Sequence, residues 1–331
     1  MNLAQKDTLF PNILSTIGNT PLVKLEKLFP KSGVNIYAKL EAFNPGGSIK
    51  DRTAVNILQE VIQQGKVKKG DTIIESSSGN MAIGLAQVCL YFGLKLIVVV
   101  DPNVNNQNVR ILKTYGAKVD YVRRPALVGG YLTARLNRVQ ELLETVENSF
   151  WTNQYGNPRN PAAHENTMFE IASALDQKLD YLFVSTSTCG TLAGCAQYAK
   201  KTGLSTKIIG VDAVGSVIFG TPAAKRLIPG HGAGRPSQFL KKNMATDAVH
   251  VTDLDCVKGC HRLLNQEAIL CGGSSGAVVQ AFEKYLPNIP PGSNCALILC
   301  DRGERYLDTI YNDKWIEQNL LNPKNLKLLA A

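Results

Sequence analysis

The feature that most constrains the fold is a repeated alternation of short apolar runs with longer amphipathic segments. Runs such as LKLIVVVD (94–101) and CALILCD (295–301) are almost wholly apolar and rich in branched side chains. Strands of this kind are usually covered on both faces, and strands that alternate with helices form parallel sheets. The pattern predicts an α/β fold with parallel-rich sheets. The 331 residues are enough for two domains that share a cleft.

Seven strands and eight helices are predicted from these periodicities. The strands cover residues 35–43, 71–75, 94–101, 118–123, 181–185, 207–213 and 295–300. The helices cover residues 48–64, 80–92, 105–115, 129–145, 165–175, 191–202, 256–266 and 275–286. The first two helices end before Gly65 and Gly93, and glycine suits the position after a helix. No linker rich in Pro, Gly or Ser marks a domain boundary.

Bulk features argue against several classes of protein. The sequence has no apolar run of the roughly 18 residues that a membrane helix needs, and its N-terminus lacks a signal-peptide pattern. A cytoplasmic protein without a membrane segment is therefore expected. The eight cysteines form no CxxC pair, so we expect reduced, buried thiols and no metal site. The net charge of +9 is spread along the chain, which favours a basic surface that steers anionic substrates over nucleic-acid binding.

Three polar, glycine-bearing turns each join a predicted strand to a predicted helix: NPGGSIKDR (44–52), ESSSGN (75–80) and STSTCGT (185–191). Open α/β sheets bind ligands at the carboxyl ends of their strands, where these turns lie. STSTCGT can hold a phosphate through backbone N–H groups and a helix N-terminus, although hydroxyl-rich turns also simply cap helices. The GxxxxGK[ST] and GxGxxG motifs are absent, which argues against a P-loop or an NAD site.

Two of these turns carry side chains that could bind a ligand or react with one. Asn80 can cap its helix and reach a ligand oxygen, while the N–H groups beside it can hold a carboxylate. Lys50 stands at a helix start, where a positive charge is disfavoured. A shielded lysine can lose its proton and attack a carbonyl, whereas the plain alternative is a surface lysine. A fourth segment, CGGSSGA (271–277), places another hydroxyl at a helix start.

Together these four elements resemble the fold-type II pyridoxal-phosphate enzymes of the cysteine synthase and cystathionine β-synthase family. The resemblance runs from IGNTPLVKL (17–25) to DRGERYLDT (301–309) and includes NQYGNPRNPAAHENT (153–167). It implies a tryptophan synthase β-like architecture with pyridoxal 5′-phosphate in the cleft between two domains. A smaller mobile domain would span 44–157, a larger one 1–43 and 158–320, and a tail 321–331. Relatives are usually homodimers, so a homodimer is expected.

The resemblance also implies a role for each matching residue. Lys50 would carry the cofactor as a Schiff base and move the Cα proton, and Asn80 would hydrogen-bond the ring hydroxyl. Ser274 would face the pyridine nitrogen, and a neutral partner there favours β-elimination over transamination. The cofactor phosphate would be cradled by Ser187, Thr188, Cys189, Gly190 and Thr191. The α-carboxylate of the substrate would be held by Ser77, Ser78 and Gln154.

One residue separates the chain from ordinary cysteine synthases. Met81 stands where those enzymes have threonine, and a thioether cannot donate a hydrogen bond. The segments at 129–143, 212–220, 229–237 and 301–315 instead resemble a narrower branch, the synthases that join O-phosphoserine to glutamate for 2,3-diaminopropionate and siderophore biosynthesis. The product would be N-(2-amino-2-carboxyethyl)-L-glutamate, with release of phosphate. The alternative is a cysteine synthase that uses O-acetylserine or O-phosphoserine, or an S-sulfocysteine synthase.

The anionic groups of such substrates call for arginine. Arg135 follows Tyr131 by four residues, on one helix face, and is expected to bind a carboxylate. Arg235 is expected to bind a phosphate or carboxylate, and Tyr155 to form a pocket wall. A surface arginine and a structural tyrosine remain the alternatives, and His164 is interpreted as structural. A non-catalytic regulator on the same fold is disfavoured because it has no need of Lys50.

Overall fold

The computed structural model describes residues 9–321 and contains two β-sheets flanked by helices. The strands are β1 (Leu22–Lys24), β2 (Asn35–Leu40), β3 (Thr72–Ser76), β4 (Lys95–Val100), β5 (Lys118–Tyr121), β6 (Ser149–Trp151), β7 (Tyr181–Ser185), β8 (Lys207–Ala213), β9 (Asp247–Val251) and β10 (Asn294–Leu299). One sheet has the order β1-β2-β10-β7-β8-β9 and the other β5-β4-β3-β6. Only the β1–β2 pair is antiparallel among these strands, which confirms the predicted parallel-rich α/β fold.

The helices follow the strands in the alternation that the sequence predicted. They are α1 (Lys50–Gln63), α2 (Asn80–Phe92), α3 (Asn106–Thr114), α4 (Gly130–Thr145), α5 (Arg159–Ala174), α6 (Gly190–Thr202), α7 (Asp253–Glu267), α8 (Gly273–Tyr285) and the short α9 (Asp313–Ile316). Helices α7 and α8 pack closely because both carry glycine at the contact. A Cβ on Gly259 would overlap the carbonyl of Gly276, and one on Gly276 would overlap that of Cys256.

The hydrophobic core is divided between the two sheets. The largest cluster lies between the six-stranded sheet and helices α7 and α8, and includes Phe183 and Phe282, whose rings are 5.3 Å apart. A second cluster joins α1 and α2 to β3 and β4. Residues 96–100 of β4 are all buried, as expected for a strand covered on both faces.

All seven predicted strands and eight predicted helices are present, but several begin or end at residues other than those predicted. The first predicted strand ends at Leu40, and residues 41–43 form a 3-10 turn. Helix α5 begins at Arg159, earlier than predicted, because Pro161 in the first turn needs no hydrogen-bonded N–H. Helix α7 begins at Asp253, after a capping box between Thr252 and Asp255. Strands β1, β6 and β9 were missed because they are short and carry no clear apolar run.

The strands of the smaller sheet all come from residues 72–151, and those of the larger sheet from residues 22–40 and 181–299. A mobile domain at 44–157 and a larger domain around it stay a proposal. Most of the predicted tail, residues 322–331, lies outside the described residues, as do residues 1–8. Within residues 9–321, no helix combines the length and the apolar character that crossing a membrane requires.

A buried cluster of charges joins β2, α1 and α5. The guanidinium of Arg52 lies 2.7 Å from Glu41 and 2.6 Å from Glu170, and Lys39 Nζ lies 2.6 Å from the same Glu170 carboxylate. Burial raises the pKa of Glu170, but its hydrogen bond with Arg52 and the two positive charges outweigh burial and lower that pKa to about 2. The cluster therefore fixes the start of α1, and with it Lys50.

Candidate active site

A cavity of about 450 Å³ lies at the carboxyl ends of strands from both sheets. Its volume is within the range of ligand pockets, and its position is the one at which parallel sheets bind ligands. Twelve of the predicted site residues line the cavity: Lys50, Ser77, Ser78, Asn80, Met81, Arg135, Gln154, Tyr155, Ser187, Thr188, Arg235 and Ser274. Folding thus brings together side chains that are more than 200 positions apart in the chain.

Lys50 is the first residue of α1 and is half-buried in the cavity wall. Its backbone N–H donates to Ser48 Oγ at 3.2 Å. Its Nζ forms no hydrogen bond or ion pair within residues 9–321. A cavity-lining amine without a protein partner is available for covalent chemistry.

The loop before α6 presents unpaired backbone donors. Cys189 adopts a left-handed conformation, with φ of 65°, at the start of the helix. The backbone N–H groups of Ser187, Cys189 and Thr191 donate to no protein acceptor in the part of the chain that the structure describes. Such a concave arrangement of N–H groups at a helix N-terminus binds anions.

Three of the residues predicted for this loop do not line the cavity. The Cys189 thiol is buried, and burial raises its pKa to about 12. Thr191 Oγ1 lies 3.4 Å from His164 Nε2. A Cβ on Gly190 would overlap the side chain of Asn160, so this position requires glycine. Cys189 and Thr191 therefore offer a ligand their unpaired backbone N–H groups, the N–H of Gly190 donates to Thr188 Oγ1 at 3.3 Å, and Ser187 and Thr188 line the cavity.

Asn80, the first residue of α2, is held at both ends of its amide. Its Nδ2 donates to Asp301 Oδ2 at 2.6 Å, and its Oδ1 accepts from Arg305. Tyr306 donates to the same Asp301 oxygen at 2.5 Å. Asp301 is buried, burial raises its pKa, and its Oδ1 has no hydrogen-bond partner among the described residues.

The turn after β3 supplies a second set of donors. The backbone N–H groups of Ser78, Asn80 and Met81 make no hydrogen bond within residues 9–321, and they stand at the N-terminus of α2. Gln154 Nε2 donates to the carbonyl of Ser76 at 3.2 Å. Met81 is only 2% exposed and also belongs to the α1–α2 core cluster. This turn can therefore accept a carboxylate beside an apolar wall.

Arg135 of α4, together with Arg235 and Tyr155 from two loops, forms the basic side of the cavity. Arg135 lies 3.4 Å from Asp101, but its buried Nε has no aligned hydrogen-bond partner among the described residues. The guanidinium of Arg235 lies 4.1 Å from the centre of the Tyr155 ring, a cation–π contact. Burial raises the pKa of Tyr155, and the charges of Arg135 and Arg235 oppose that rise.

A family model described as "Pyridoxal-phosphate dependent enzyme" matches residues 13–301. The chain belongs to this family. N-(2-amino-2-carboxyethyl)-L-glutamate synthase from Ralstonia nicotianae is 44% identical over 306 residues, which cover 92% of this chain and 90% of that protein. Among solved structures, a cysteine synthase from Entamoeba histolytica has a TM-score of 0.86 and 32% identity, over 96% of this chain and 97% of that one.

An O-acetylserine-dependent cystathionine β-synthase from Helicobacter pylori is similarly related. Its TM-score is 0.85 at 31% identity, over 92% of this chain and the whole of that one. The predicted fold-type II architecture and pyridoxal-phosphate dependence are confirmed by these matches. The protein is an enzyme of the β-replacement type that uses small amino-acid substrates.

The residues of this pyridoxal-phosphate enzyme fit the cofactor. The unpaired N–H groups before α6 match a phosphate, and the free Nζ of Lys50 matches an aldehyde. Ser274, the second residue of α8, is buried in the cavity wall with a neutral hydroxyl. His164 does not line the cavity; burial lowers its pKa well below the usual value, and its Nε2 lies 3.2 Å from Thr53 Oγ1.

The sequence did not point to every residue of the site. Asp301 could have been found, because it directly follows the apolar run of β10, as the other turns follow theirs. Arg226 lines the cavity from an irregular segment that has no periodicity. Asn108 donates to the carbonyl of Ser78 at 3.0 Å and stiffens the turn after β3. All eight cysteines are free, and residues 9–321 hold no cluster of potential metal ligands.

Proposed function

We propose that the protein replaces the phosphate of O-phospho-L-serine with the amine of L-glutamate. The products are N-(2-amino-2-carboxyethyl)-L-glutamate and phosphate. The observation that carries this proposal is the charge of the cavity. Among residues 9–321, it is lined by four cationic side chains, Lys50, Arg135, Arg226 and Arg235, and by a single carboxylate, that of Asp301. The identity to the Ralstonia nicotianae synthase supports the same reaction.

Two anionic substrates account for this excess of positive charge. Phosphoserine brings a phosphate and a carboxylate, and glutamate brings two carboxylates. Arginine binds such groups through paired N–H donors. Sulfide needs almost no binding site, so in a cysteine synthase several of these arginines would have no anionic group to bind.

The roles of the remaining residues follow from their positions. Pyridoxal phosphate, when bound, withdraws electrons from the substrate Cα, so that the Cα proton and then the β-substituent can leave. Lys50, with its unpartnered Nζ, binds the cofactor and afterwards holds and returns the Cα proton. The N-terminus of α6 binds the cofactor phosphate, and Asn80 and Ser274 orient the ring.

Substrate binding is divided between the turn after β3 and the basic side of the cavity. The turn of Ser77 and Ser78, with Gln154, holds the α-carboxylate of phosphoserine. Arg135, oriented by Asp101, and Arg235, stacked on Tyr155, are placed to bind the phosphate or a carboxylate. The phosphate is thereby stabilised as it leaves.

The test follows the visible absorption of the cofactor during stepwise addition of substrates. O-Phosphoserine alone is expected to change the absorption and to release phosphate, and glutamate is expected to restore the absorption with formation of N-(2-amino-2-carboxyethyl)-L-glutamate. Arg135→Ala should weaken this response, while Arg138→Ala on the same helix, whose guanidinium pairs with Asp120 at 3.1 Å on the surface, should not. Preference for O-acetylserine, with restoration by sulfide only, would make the protein a cysteine synthase and refute the assignment of Arg135 and Arg235.

Three further points stay proposals drawn from the sequence. We infer that two copies of the chain associate, as relatives of this family usually do. We also infer a cytoplasmic location and a place before the release of 2,3-diaminopropionate in siderophore biosynthesis. The identity to the Ralstonia nicotianae synthase supports the last of these.

A further inference from the structure

The segment between β8 and β9, residues 214–246, is irregular but firmly attached. The N–H groups of Leu227 and Ile228 donate to Asp253 at the start of α7, at 2.8 and 3.2 Å. The N–H of Gly232 donates to the carbonyl of Thr186 at 2.7 Å, just after β7. The segment is thereby held over the carboxyl end of β7 and forms one wall of the cavity.

Arg226 is a cation of this segment that lines the cavity and makes a single hydrogen bond to the described part of the chain. Its NH1 donates to the carbonyl of His231 at 3.1 Å. Its Nε is buried without a hydrogen-bond partner, and it forms no ion pair with a carboxylate in residues 9–321. A buried donor without an acceptor costs free energy. Arg226 lines the cavity and its Nη2 donates to no acceptor within residues 9–321, which suits a site in which a ligand supplies the acceptor.

The surroundings of Arg226 keep the guanidinium in the wall, and Asp253, whose pKa burial raises and the charge of Arg226 partly lowers, does not form an ion pair with it. Gly232 has a φ of 71°, and a Cβ there would lie 2.7 Å from Arg226 NH1, so glycine makes room for the guanidinium. His231 is fully buried, its Nδ1 lies 2.9 Å from Ser185 Oγ, and burial lowers its pKa to about 3. The imidazole is therefore neutral and neither cancels nor adds to the charge of Arg226.

The other anionic groups of the reaction already have hydrogen-bond donors assigned to them. The cofactor phosphate has the N-terminus of α6, and the α-carboxylate of the first substrate has the N-terminus of α2. The phosphate of phosphoserine has Arg135 and Arg235. The anions that remain are those of the incoming nucleophile. Arg226, on the wall formed by the β8–β9 segment, is a cation without an assigned partner.

We propose that Arg226 binds a carboxylate of the incoming amino-acid nucleophile and thereby selects a carboxylate-bearing amine over sulfide. This inference rests on the proposed function, because it requires an amine nucleophile that carries a carboxylate. Arg226 has no part in the release of phosphate from the first substrate. Replacing Arg226 should therefore affect only the second half of the reaction, in which the nucleophile adds.

The experiment compares Arg226→Gln and Arg226→Lys with Lys225→Gln, an exposed neighbour in the same segment. The absorption change on adding O-phosphoserine should be the same in all four proteins. The KM for glutamate should rise about 10- to 100-fold in Arg226→Gln, the loss expected for a charge-assisted hydrogen-bonded pair. Arg226→Lys should recover part of that loss, and Lys225→Gln should match the wild type.

The outcomes separate the two proposals. If glutamate never restores the absorption of the wild type, the proposed function fails and takes this inference with it. If the wild type responds and Arg226→Gln has an unchanged KM for glutamate, the inference alone fails. An equal loss in the phosphoserine step would also overturn it, and thermal unfolding of the variants identifies a loss that comes from the fold.

Discussion

The side-chain nitrogen of Asn80 lies 2.6 Å from Asp301 Oδ2, while the oxygen of the same amide accepts a hydrogen bond from Arg305. The two contacts fix which end of the amide carries the donor. An amide nitrogen has two N–H groups, so one remains for a ligand. Asp301 and Arg305 are thus positioning residues for Asn80.

Replacing the carboxylate that holds Asn80 should weaken cofactor binding. Asp301→Asn removes the charge that orients the amide, and the net loss of about one hydrogen bond corresponds to a roughly 2- to 10-fold rise in the dissociation constant for pyridoxal phosphate. Equilibrium titration of the cofactor measures it, together with the position of its absorption band. Asp308→Asn, an exposed change seven residues along, should have neither effect. Equal affinities in the two variants would contradict the positioning role.

Lys50 should be dispensable for folding and essential for cofactor attachment. Its Nζ has no protein partner within residues 9–321, so Lys50→Ala should change the free energy of unfolding by less than about 1 kcal/mol. Borohydride reduction followed by mass spectrometry should find the cofactor covalently bound to the wild type and absent from the variant. Attachment at another lysine would show that a different side chain carries the cofactor.

Met81 should tolerate an apolar replacement better than a polar one. The side chain is 2% exposed and packs in the α1–α2 core cluster. Met81→Thr leaves a void and a buried hydroxyl, and should lower the free energy of unfolding by about 1 to 3 kcal/mol. Met81→Leu keeps the volume and should cost less than about 1.5 kcal/mol. Denaturant unfolding compares the two, and equal costs would mean that the site adapts to a hydroxyl.

The buried charge cluster should make stability depend on acid pH. The pKa of Glu170 is about 2 in the folded protein, below its usual 4.5. A carboxylate with a depressed folded pKa stabilises the fold above its unfolded pKa. That contribution, on the order of 3 kcal/mol, is lost as the pH falls from about 4.5 towards 2. Unfolding measured across this pH range should show the decline in the wild type.

Glu170→Gln tests whether this carboxylate is the cause. The variant should be less stable at neutral pH by about 3 to 5 kcal/mol, because Lys39 and part of Arg52 lose their partner. Its stability should then fall less steeply between pH 4.5 and 2. Glu165→Gln is the matched control on the same helix, since Glu165 faces the exposed Lys201 at 3.6 Å, and it should cost less than about 1 kcal/mol. Parallel pH profiles in both variants would assign the decline to other groups.

Local patterns identified most of the fold, while the resemblance to the family supplied many of the predicted residues that line the cavity. Lys50, Asn80 and Ser274 were found because each stands where an apolar run gives way to a helix, and both features are visible in the sequence. Arg226 was not found, since hydrogen bonds of its segment to residues distant in the chain, Asp253 and Thr186, hold it at the cavity. Strand β9 was missed for a similar reason: its five residues gain their strand structure from pairing with β8.

The pairing of β2 with β10 also constrains how the chain is made. Asn35 lies beside Asn294 in this pair, 259 residues later in the chain. At ordinary rates of translation the ribosome needs roughly 10 to 50 s to add that length. The strands of the smaller sheet all lie within residues 72–151, so this sheet can assemble in the meantime. The N-terminal hairpin of β1 and β2 must wait for β10, and until then Ile36 and Ala38 lack the neighbours that bury them in the folded protein.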